Sequence, residues 1–365
     1  MSAVSGTSTP LPVPPSADAN RRAPLTRRFA DAISGLRGGE EHVWRWAGRI
    51  AAIVPLVALA FCVTILTLKA WPAMKLEGWH FITSSEWNPG GGYAQPVTTD
   101  GVTHPQGATY GAWPLILGTI QSSVIALVIA VPISIGGALA LTGRLPRVIS
   151  RSLGFTLELL AGIPSVIIGL WGIFTLGPFL AEHIYPHIAN AMPDLPVFNW
   201  FGPPTGHGEG LLTSGIVLAL MIIPIIAATT RELFRQVPVL PKEGASALGM
   251  TDFEVTRRVT IPWVRAGIIG ASVLGLGRAI GETIAVAMIS GSVTGHVAPN
   301  IYSPMTTIAA TIVSQLDGAE TDGTGYAVAA LAFAALILAV ISVLVNVIAR
   351  VIVTKTGRHA APVGR

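Results

Sequence analysis

Six long apolar stretches constrain this chain more than any other feature of its sequence. They lie at about 46–68, 113–141, 153–180, 211–229, 266–289 and 326–351. Each is close to, or longer than, the roughly 20 residues that an α-helix needs to cross the bilayer core. Charged residues make up only 12% of the chain, whereas a soluble domain usually has about a quarter. The sequence therefore predicts an all-α integral membrane protein with six transmembrane helices and argues against a soluble enzyme.

Basic residues are distributed unevenly between the two sides that six spans would create. Of the 23 Lys and Arg residues, 20 lie at the two ends of the chain and in the segments after the second and fourth spans. Lys69 and Lys75 lie on the other side, and Arg278 lies inside the fifth span. By the positive-inside rule, both termini and the segment 230–265 are predicted to be cytoplasmic. The outer loops hold too few apolar residues for a separate domain and are predicted to form a docking rim.

The membrane domain is predicted to cover residues 46–354. Residues 1–45 are rich in Pro, Ser, Ala and Arg and are predicted to form a disordered, basic cytoplasmic tail, with a second tail at 355–365. The single cysteine, Cys62, cannot form an internal disulfide, and no Cys/His cluster has the spacing of a zinc site. No structural metal is therefore expected. Since the basic residues follow the membrane boundaries, nucleic-acid binding is not expected either.

The fifth span contains Arg278 and, four residues later, Glu282. Counted from Arg265 at the inner boundary, Arg278 lies about 20 Å along a helix. An arginine at that depth costs at least about 2.5 kcal/mol. Two interpretations stay open: a structural ion pair that holds a neighbouring helix, and a transport site in which the guanidinium binds an oxyanion. Arg278, Glu282 and the adjacent Thr283 are the candidate substrate-binding residues.

A second polar position interrupts the third predicted span. Glu158 is followed by Gly162, Pro164 and Ser165. Pro164 removes a backbone donor, so local carbonyl groups can turn toward a cavity, although an ordinary kink packed against protein is equally consistent. Glu158 and Ser165 are therefore added to the candidate translocation residues.

The segment between the fourth and fifth spans carries the most specific pattern. Glu243-Gly244-Ala245 is followed by Gly249 and then by Ile261-Pro262. The stretch 243–258 is amphipathic and is predicted to be a helix. Such a helix could lie on the membrane surface.

This spacing resembles the EAA loop of ABC-transporter permeases, which has a Glu-Ala-Ala, a Gly six residues after the Glu, and a Leu-Pro ending. Gly244 and Ile261 are mild departures from that pattern. The resemblance implies the type I importer permease fold and a coupling helix that binds in a groove of a cytoplasmic ATPase. The implied coupling residues are Glu243, Gly244, Ala245, Gly249 and Pro262.

Three further segments narrow the resemblance. Residues 84–89, 158–165 and 275–283 resemble the phosphate-specific transport permeases, of the PstC type more than the sister PstA type. This implies a permease subunit of a bacterial phosphate importer in the plasma (inner) membrane. The implied partners are phosphate, membrane lipid, a homologous PstA-type permease, an extracytoplasmic phosphate-binding protein and two ATPase subunits. Those subunits would hold ATP and magnesium, whereas no cofactor is expected in this chain.

The chain has no Gly-x-x-x-x-Gly-Lys-Ser/Thr loop, so it is expected to be a transport subunit and not an enzyme. The nearest alternative is a permease of the same architecture that transports sulfate or molybdate. An ion-coupled anion carrier or channel would need no ATPase, and the EAA-like loop argues against it. An intramembrane hydrolase is not favoured, because the sequence offers no convincing pair of a nucleophile and a base.

A metal site at His183 and His187 is not favoured either. The two histidines lie four residues apart, but Pro186 interrupts a zincin-like helix, so a structural or solvated role is preferred.

Overall fold

The computed structural model describes residues 25–91, 95–191, 199–201, 204 and 206–357. The chain divides into two units, Met1–Val63 and Thr64–Arg365. Helix α1 covers Leu25–Glu77, and in the first unit its large apolar side chains are exposed from Trp46 to Phe61. The predicted N-terminal tail falls partly on residues 1–24, outside the described residues. Its disorder is wrongly predicted for residues 25–45, which are helical.

Further helices follow in the second unit. They are α2 (His80–Thr83), α3 (Trp113–Leu139), α4 (Arg147–Ala161), α5 (Ser165–Trp171), α6 (Gly177–Phe179), α7 (Tyr185–Ala191), α8 (Leu211–Arg235), α9 (Val239–Ala247), α10 (Asp252–Val255), α11 (Ile261–Ile280), α12 (Ile284–Ile289), α13 (Ile308–Glu320) and α14 (Tyr326–Gly357). Wider π-helical turns extend or join them at Ala140–Arg144, Gly172–Leu176, Leu180–Ile184 and Thr256–Thr260, and Asn199–Phe201 forms a 3-10 turn. The predicted C-terminal tail begins within α14, and its residues 358–365 lie outside the described part of the chain.

Four short strands lie between α2 and α3. Strand β1 (Trp87–Asn88) pairs antiparallel with β4 (Thr109–Tyr110), and β2 (Val97–Thr99) pairs antiparallel with β3 (Val102–His104). Trp87 lies opposite Tyr110 in the first pair. These strands form two small hairpin-like pairs and leave the helical class of the fold unchanged.

Six helical segments are long and apolar enough to cross a membrane, which confirms the predicted number of spans. They are Arg45–Glu77, Trp113–Gly143, Ser165–Ala191, Leu211–Arg235, Asp252–Ile280 and Tyr326–Thr356. The bounds differ most at the third and fifth segments. The third is Ser165–Ala191, against 153–180 predicted, and the fifth is Asp252–Ile280, against 266–289 predicted.

The shift of the third span follows from the residues between α4 and α5. Pro164 has an extended backbone, with φ −56° and ψ 135°, and it has no N–H to continue the helix. Helix α4 has 15 residues and is too short to span on its own. The residues before and after the break are similarly apolar, so hydropathy alone does not locate it.

The centre of the fold is a close contact of α3 and α8. A Cβ atom on Gly215 of α8 would overlap the side chain of Ile125, and Ser134 of α3 donates a hydrogen bond of 3.1 Å to the Ile223 carbonyl. Helix α11 joins them where Gly275 lies against Ile226, since an added Cβ would lie 2.7 Å from its Cδ1 atom. Small residues thus bring the helices together, as is common where lipid supplies no hydrophobic driving force between helices.

A second close approach in α3 gives a direct test of this packing. A Cβ atom at Gly118 would overlap the backbone carbonyl oxygen of Thr306, whereas a Cβ at Gly136 in the same helix would meet no atom within 4 Å. Gly118→Ala is expected to destabilise the protein by about 1–3 kcal/mol, because backbone must move to make room. Gly136→Ala should be neutral or slightly stabilising. Thermal unfolding of the two purified variants measures the difference, and equal midpoints would contradict it.

Candidate functional site

The predicted substrate residues Arg278, Glu282 and Thr283 lie around a break in the fifth span. Helix α11 ends at Ile280, and the Glu282 N–H donates to the Ala279 carbonyl at 3.3 Å, a tighter turn than an α-helix makes. Helix α12 then starts at Ile284, after Thr283 has donated its hydroxyl hydrogen to the Gly281 carbonyl at 3.0 Å. The span that was predicted as one continuous helix is therefore interrupted beside its charged residues.

This break changes the expected relation between the two charged side chains. Arg278 is exposed in this single chain, Glu282 is half-buried, and neither forms an ion pair or a hydrogen bond through its side chain with the described residues. A spacing of four residues brings side chains together only if the helix continues between them. The alternative of a structural ion pair thus finds no support within the described chain, and both groups stay available to a ligand or a partner.

The other two candidates lie on either side of the break between α4 and α5. Glu158 is exposed on α4, and Ser165 is half-buried as the first residue of α5. Glu158 was predicted within the third span and lies instead in α4, before the candidate span that begins at Ser165. Glu158 contacts none of the other candidate residues through a hydrogen bond or an ion pair.

The structure brings the two breaks together by packing α5 against α12. A Cβ on Gly169 would lie 3.0 Å from the Cα of Ala285, and a Cβ on Gly172 would lie 3.1 Å from the Cδ1 of Ile289. The contacts advance in the same direction along both helices, so α5 and α12 are parallel. Their starting residues, Ser165 and Ile284, therefore lie toward the same end of the pair.

The predicted coupling segment is two helices instead of the single helix expected over 243–258. Helix α9 ends in a Schellman turn: Gly249 donates to the Ser246 carbonyl at 2.9 Å, and Met250 donates to the Ala245 carbonyl at 3.2 Å. Gly249 has φ +83°, which favours glycine, and its Cβ position is open. Its role in the chain is conformational, since no close approach occurs there. Helix α10 starts after it.

A capping box begins α10. The Thr251 hydroxyl oxygen accepts a hydrogen bond from the Glu254 N–H, and the Glu254 carboxylate accepts one of 3.0 Å from the Thr251 N–H. This local start signal explains why the chain re-enters a helix so soon after Gly249. The helical segment then continues through Pro262, which is exposed in the first turn of α11, as far as Ile280.

Helix α9 presents two different faces. Val239, Lys242 and Ser246 line a groove of the same chain, and Ala245 is buried. The opposite face is exposed and includes Leu240, Glu243, Gly244, Ala247 and Leu248. Of the predicted coupling residues, Glu243, Gly244 and Gly249 are thus free to meet a partner, whereas Ala245 packs inward.

The segment 84–89, which the sequence singled out, contacts α13 and strand β4. The Trp87 indole N–H donates a hydrogen bond of 2.7 Å to Gln315 of α13, and its ring meets the Tyr110 ring edge to face at 4.9 Å. Burial, together with the nearby carboxylates of Asp322 and Glu77, raises the pKa of the Tyr110 phenol to about 12. This phenol stays neutral at physiological pH, and the tryptophan of the motif has a structural role.

Sequence reasoning missed the grouping of Arg235, Lys242 and Arg257, which line the same groove. The sequence analysis used these three residues only to predict which side of the membrane is cytoplasmic. The spacing of Val239, Lys242 and Ser246 at i, i+3 and i+7 could have indicated that they share one face of a helix.

His183 and His187 are both exposed, and no group of three possible metal ligands occurs in the part of the chain that the structure describes.

Comparison with known proteins decides the family. Residues 133–358, more than half of the chain, match the family described as binding-protein-dependent transport system inner membrane component. The chain belongs to this family. Phosphate transport system permease protein PstC 1 of Mycobacterium tuberculosis is 59% identical to this permease over 88% of the chain and 95% of that protein. PstC of Mesorhizobium japonicum is 40% identical over 90% of the chain and 94% of that protein. These relatives show that the permease is a member of the PstC group.

Among solved structures, the chain is similar to one from the MetNI methionine ABC transporter in an inward-facing conformation. The TM-score is 0.47 and the sequence identity is 18%, with 67% of this chain and 94% of that chain covered.

Proposed function

We propose that this chain is the membrane permease subunit of an ATP-driven phosphate importer, in which it forms the translocation path together with a homologous PstA-type permease. The observation that carries the proposal is its 59% identity, over 88% of its length, to a protein named as a phosphate transport permease. The charged break of the fifth span supports a path for an anion, because ionisable residues at such positions usually serve transport.

In this proposal Arg278 binds phosphate oxygens and Glu282 accepts a hydrogen bond from a protonated phosphate oxygen. The guanidinium is exposed and has no carboxylate partner within the described chain, so its planar set of donors can bind two oxygens at once. Thr283 and Ser165 add hydroxyl groups at the adjacent helix starts. Glu158, on the far side of Pro164, contributes to the path before or after this point.

The exposed face of α9 supports an ATPase partner. We place the ATPase contact at Glu243, Gly244 and the turn at Gly249, on the side that the arginine distribution predicts to be cytoplasmic along with both termini. Leu240 and Leu248 are 79% and 82% exposed and would supply the apolar part of that contact. The ATPase subunits would hold ATP and magnesium, and an extracytoplasmic binding protein would deliver phosphate to the opposite side.

Uptake by the reconstituted complex tests this function. Vesicles that contain the two permeases and the ATPase are supplied with ATP inside and with the binding protein and labelled phosphate outside. We expect uptake that requires both ATP and the binding protein and that excess sulfate or molybdate does not reduce. Uptake without ATP would indicate an ion-coupled carrier, and efficient competition by sulfate would indicate a permease for another oxyanion.

A further inference from the structure

A groove of about 800 Å³ opens where the ends of α3 and α8 meet the α9–α10 segment. Its apolar wall includes Leu139, Phe234 and Val237. Three basic residues, Arg235, Lys242 and Arg257, also line it. The groove is separate from the break at Arg278 and from the exposed face of α9, so no role assigned above uses it.

The charges of this groove favour an anion. Among its lining residues in the described chain, Asp252 is the single carboxylate against the three basic side chains. Arg235 lies 3.8 Å from Glu232 in an exposed pair, which leaves its charge only weakly compensated. Lys242 and Arg257 have no carboxylate within 4.0 Å in the described chain.

The position of the groove indicates the kind of anion. The second and fourth candidate spans end at Gly143 and Arg235, and both residues line the groove. The groove therefore lies at the boundary between the hydrocarbon core of the bilayer and its headgroup region. A free inorganic anion would use the basic residues and leave the wall of Leu139, Phe234 and Val237 uncovered, whereas a phospholipid can cover both parts.

We propose that this groove binds the phosphate group of an anionic phospholipid from the predicted cytoplasmic leaflet, with the acyl chains along the apolar wall. Basic pockets between membrane helices on the cytoplasmic side bind lipid headgroups in this way. The site goes beyond the proposed function and shares with it only the predicted orientation. Because Val239, Lys242 and Ser246 of α9 line the groove, a bound lipid holds the inner face of the same helix whose outer face is offered to the ATPase.

The test uses the assembled transporter in nanodiscs of phosphatidylcholine with or without phosphatidylglycerol. Binding is measured by titrating a fluorescent phosphatidylglycerol and by mass spectrometry of the lipid retained after purification. We expect Lys242→Gln/Arg257→Gln to bind this lipid about 30-fold more weakly, since each cation near the surface contributes about fivefold. Arg151→Gln/Arg350→Gln removes the same charge from exposed positions outside the groove and should bind as the wild type does.

Each other outcome overturns the proposal. Wild-type binding by the groove variant would show that the groove does not hold the lipid, and equal losses in both double variants would show unspecific surface attraction. Inorganic phosphate is also titrated into nanodiscs that contain the fluorescent phosphatidylglycerol. Displacement of this lipid from the groove by inorganic phosphate would assign the site to the free anion. Loss of ATPase co-purification in the groove variant alone would assign Lys242 and Arg257 to the ATPase contact.

Discussion

Arg278→Lys is expected to reduce phosphate uptake by about tenfold or more while the complex still assembles. Lysine keeps the positive charge but replaces a planar set of donors with a single ammonium group, which cannot bind two phosphate oxygens in the bidentate geometry. Loss of one charge-assisted hydrogen bond is worth about 1.5–3 kcal/mol. Initial rates of binding-protein-dependent uptake measure the effect, and co-purification of the partner permease and ATPase checks assembly.

The matched control is Arg350→Lys in α14, an exposed arginine far along the chain from the break. It should transport at the wild-type rate. Normal uptake by Arg278→Lys would contradict the assignment of Arg278 to phosphate oxygens and would leave a general electrostatic role as its explanation.

Glu282 is expected to confer selectivity for phosphate over sulfate, whereas Arg278 is expected to confer affinity for oxyanions in general. Phosphate near neutral pH carries at least one proton, and an ionised carboxylate can accept that hydrogen bond, whereas sulfate offers it only a like charge. Glu282→Gln should therefore reduce phosphate transport or admit sulfate. Because the binding protein also selects the anion, selectivity has to be measured at the isolated pair of permeases as well. Normal phosphate uptake with full exclusion of sulfate would rule out this role.

Gly249→Leu is expected to abolish coupling, with at least about a tenfold loss of transport-stimulated ATP hydrolysis. The residue has φ +83°, and a branched side chain is strained in that region by about 1–2 kcal/mol. Release of this strain would alter the Schellman turn and change the angle between α9 and α10. ATP hydrolysis in the presence of the loaded binding protein measures the effect, alongside the amount of ATPase that co-purifies.

A second substitution at the same position separates conformation from contact. Asparagine tolerates positive φ far better than leucine, so Gly249→Asn should retain most of the coupled hydrolysis. Equal loss in Gly249→Asn and Gly249→Leu would instead mean that the ATPase touches the glycine itself. Wild-type values for Gly249→Leu would remove this turn from the coupling contact.

The membrane spans were predictable from sequence because length and hydropathy decide them. The position of a break within an apolar segment was not, because apolar residues flank Pro164 on both sides. Pro164 and Gly162 marked the interruption, but the sequence did not show that α4 would separate from the span. At Gly281 the signal was weaker still, since a single glycine inside a helical pattern is usually tolerated.

The sequence supplied the candidate residues of the site, and the structure supplied their arrangement. The depth and charge of Arg278 singled out the fifth span as a candidate site. The spacing of four residues suggested a pair with Glu282, which does not form in the described chain, where the helix ends between the two residues. The contact of α5 with α12 depends on Gly169 and Gly172, which meet Ala285 and Ile289 far away in the sequence. Such a contact between distant segments is visible only in the structure.

The fifth candidate span is a long helical segment up to its break, and its length amplifies a small rotation at its start. Its 29 residues, Asp252–Ile280, start three positions after Gly249 and include Arg278 in their final turn. At 1.5 Å per residue this rod is about 43 Å long, so a tilt of about 5° at the Asp252 end displaces the other end by about 4 Å. That distance exceeds the length of a hydrogen bond. In the proposed function, a small rotation at the turn around Gly249 would therefore be large enough to make or break a contact between Arg278 and an anion.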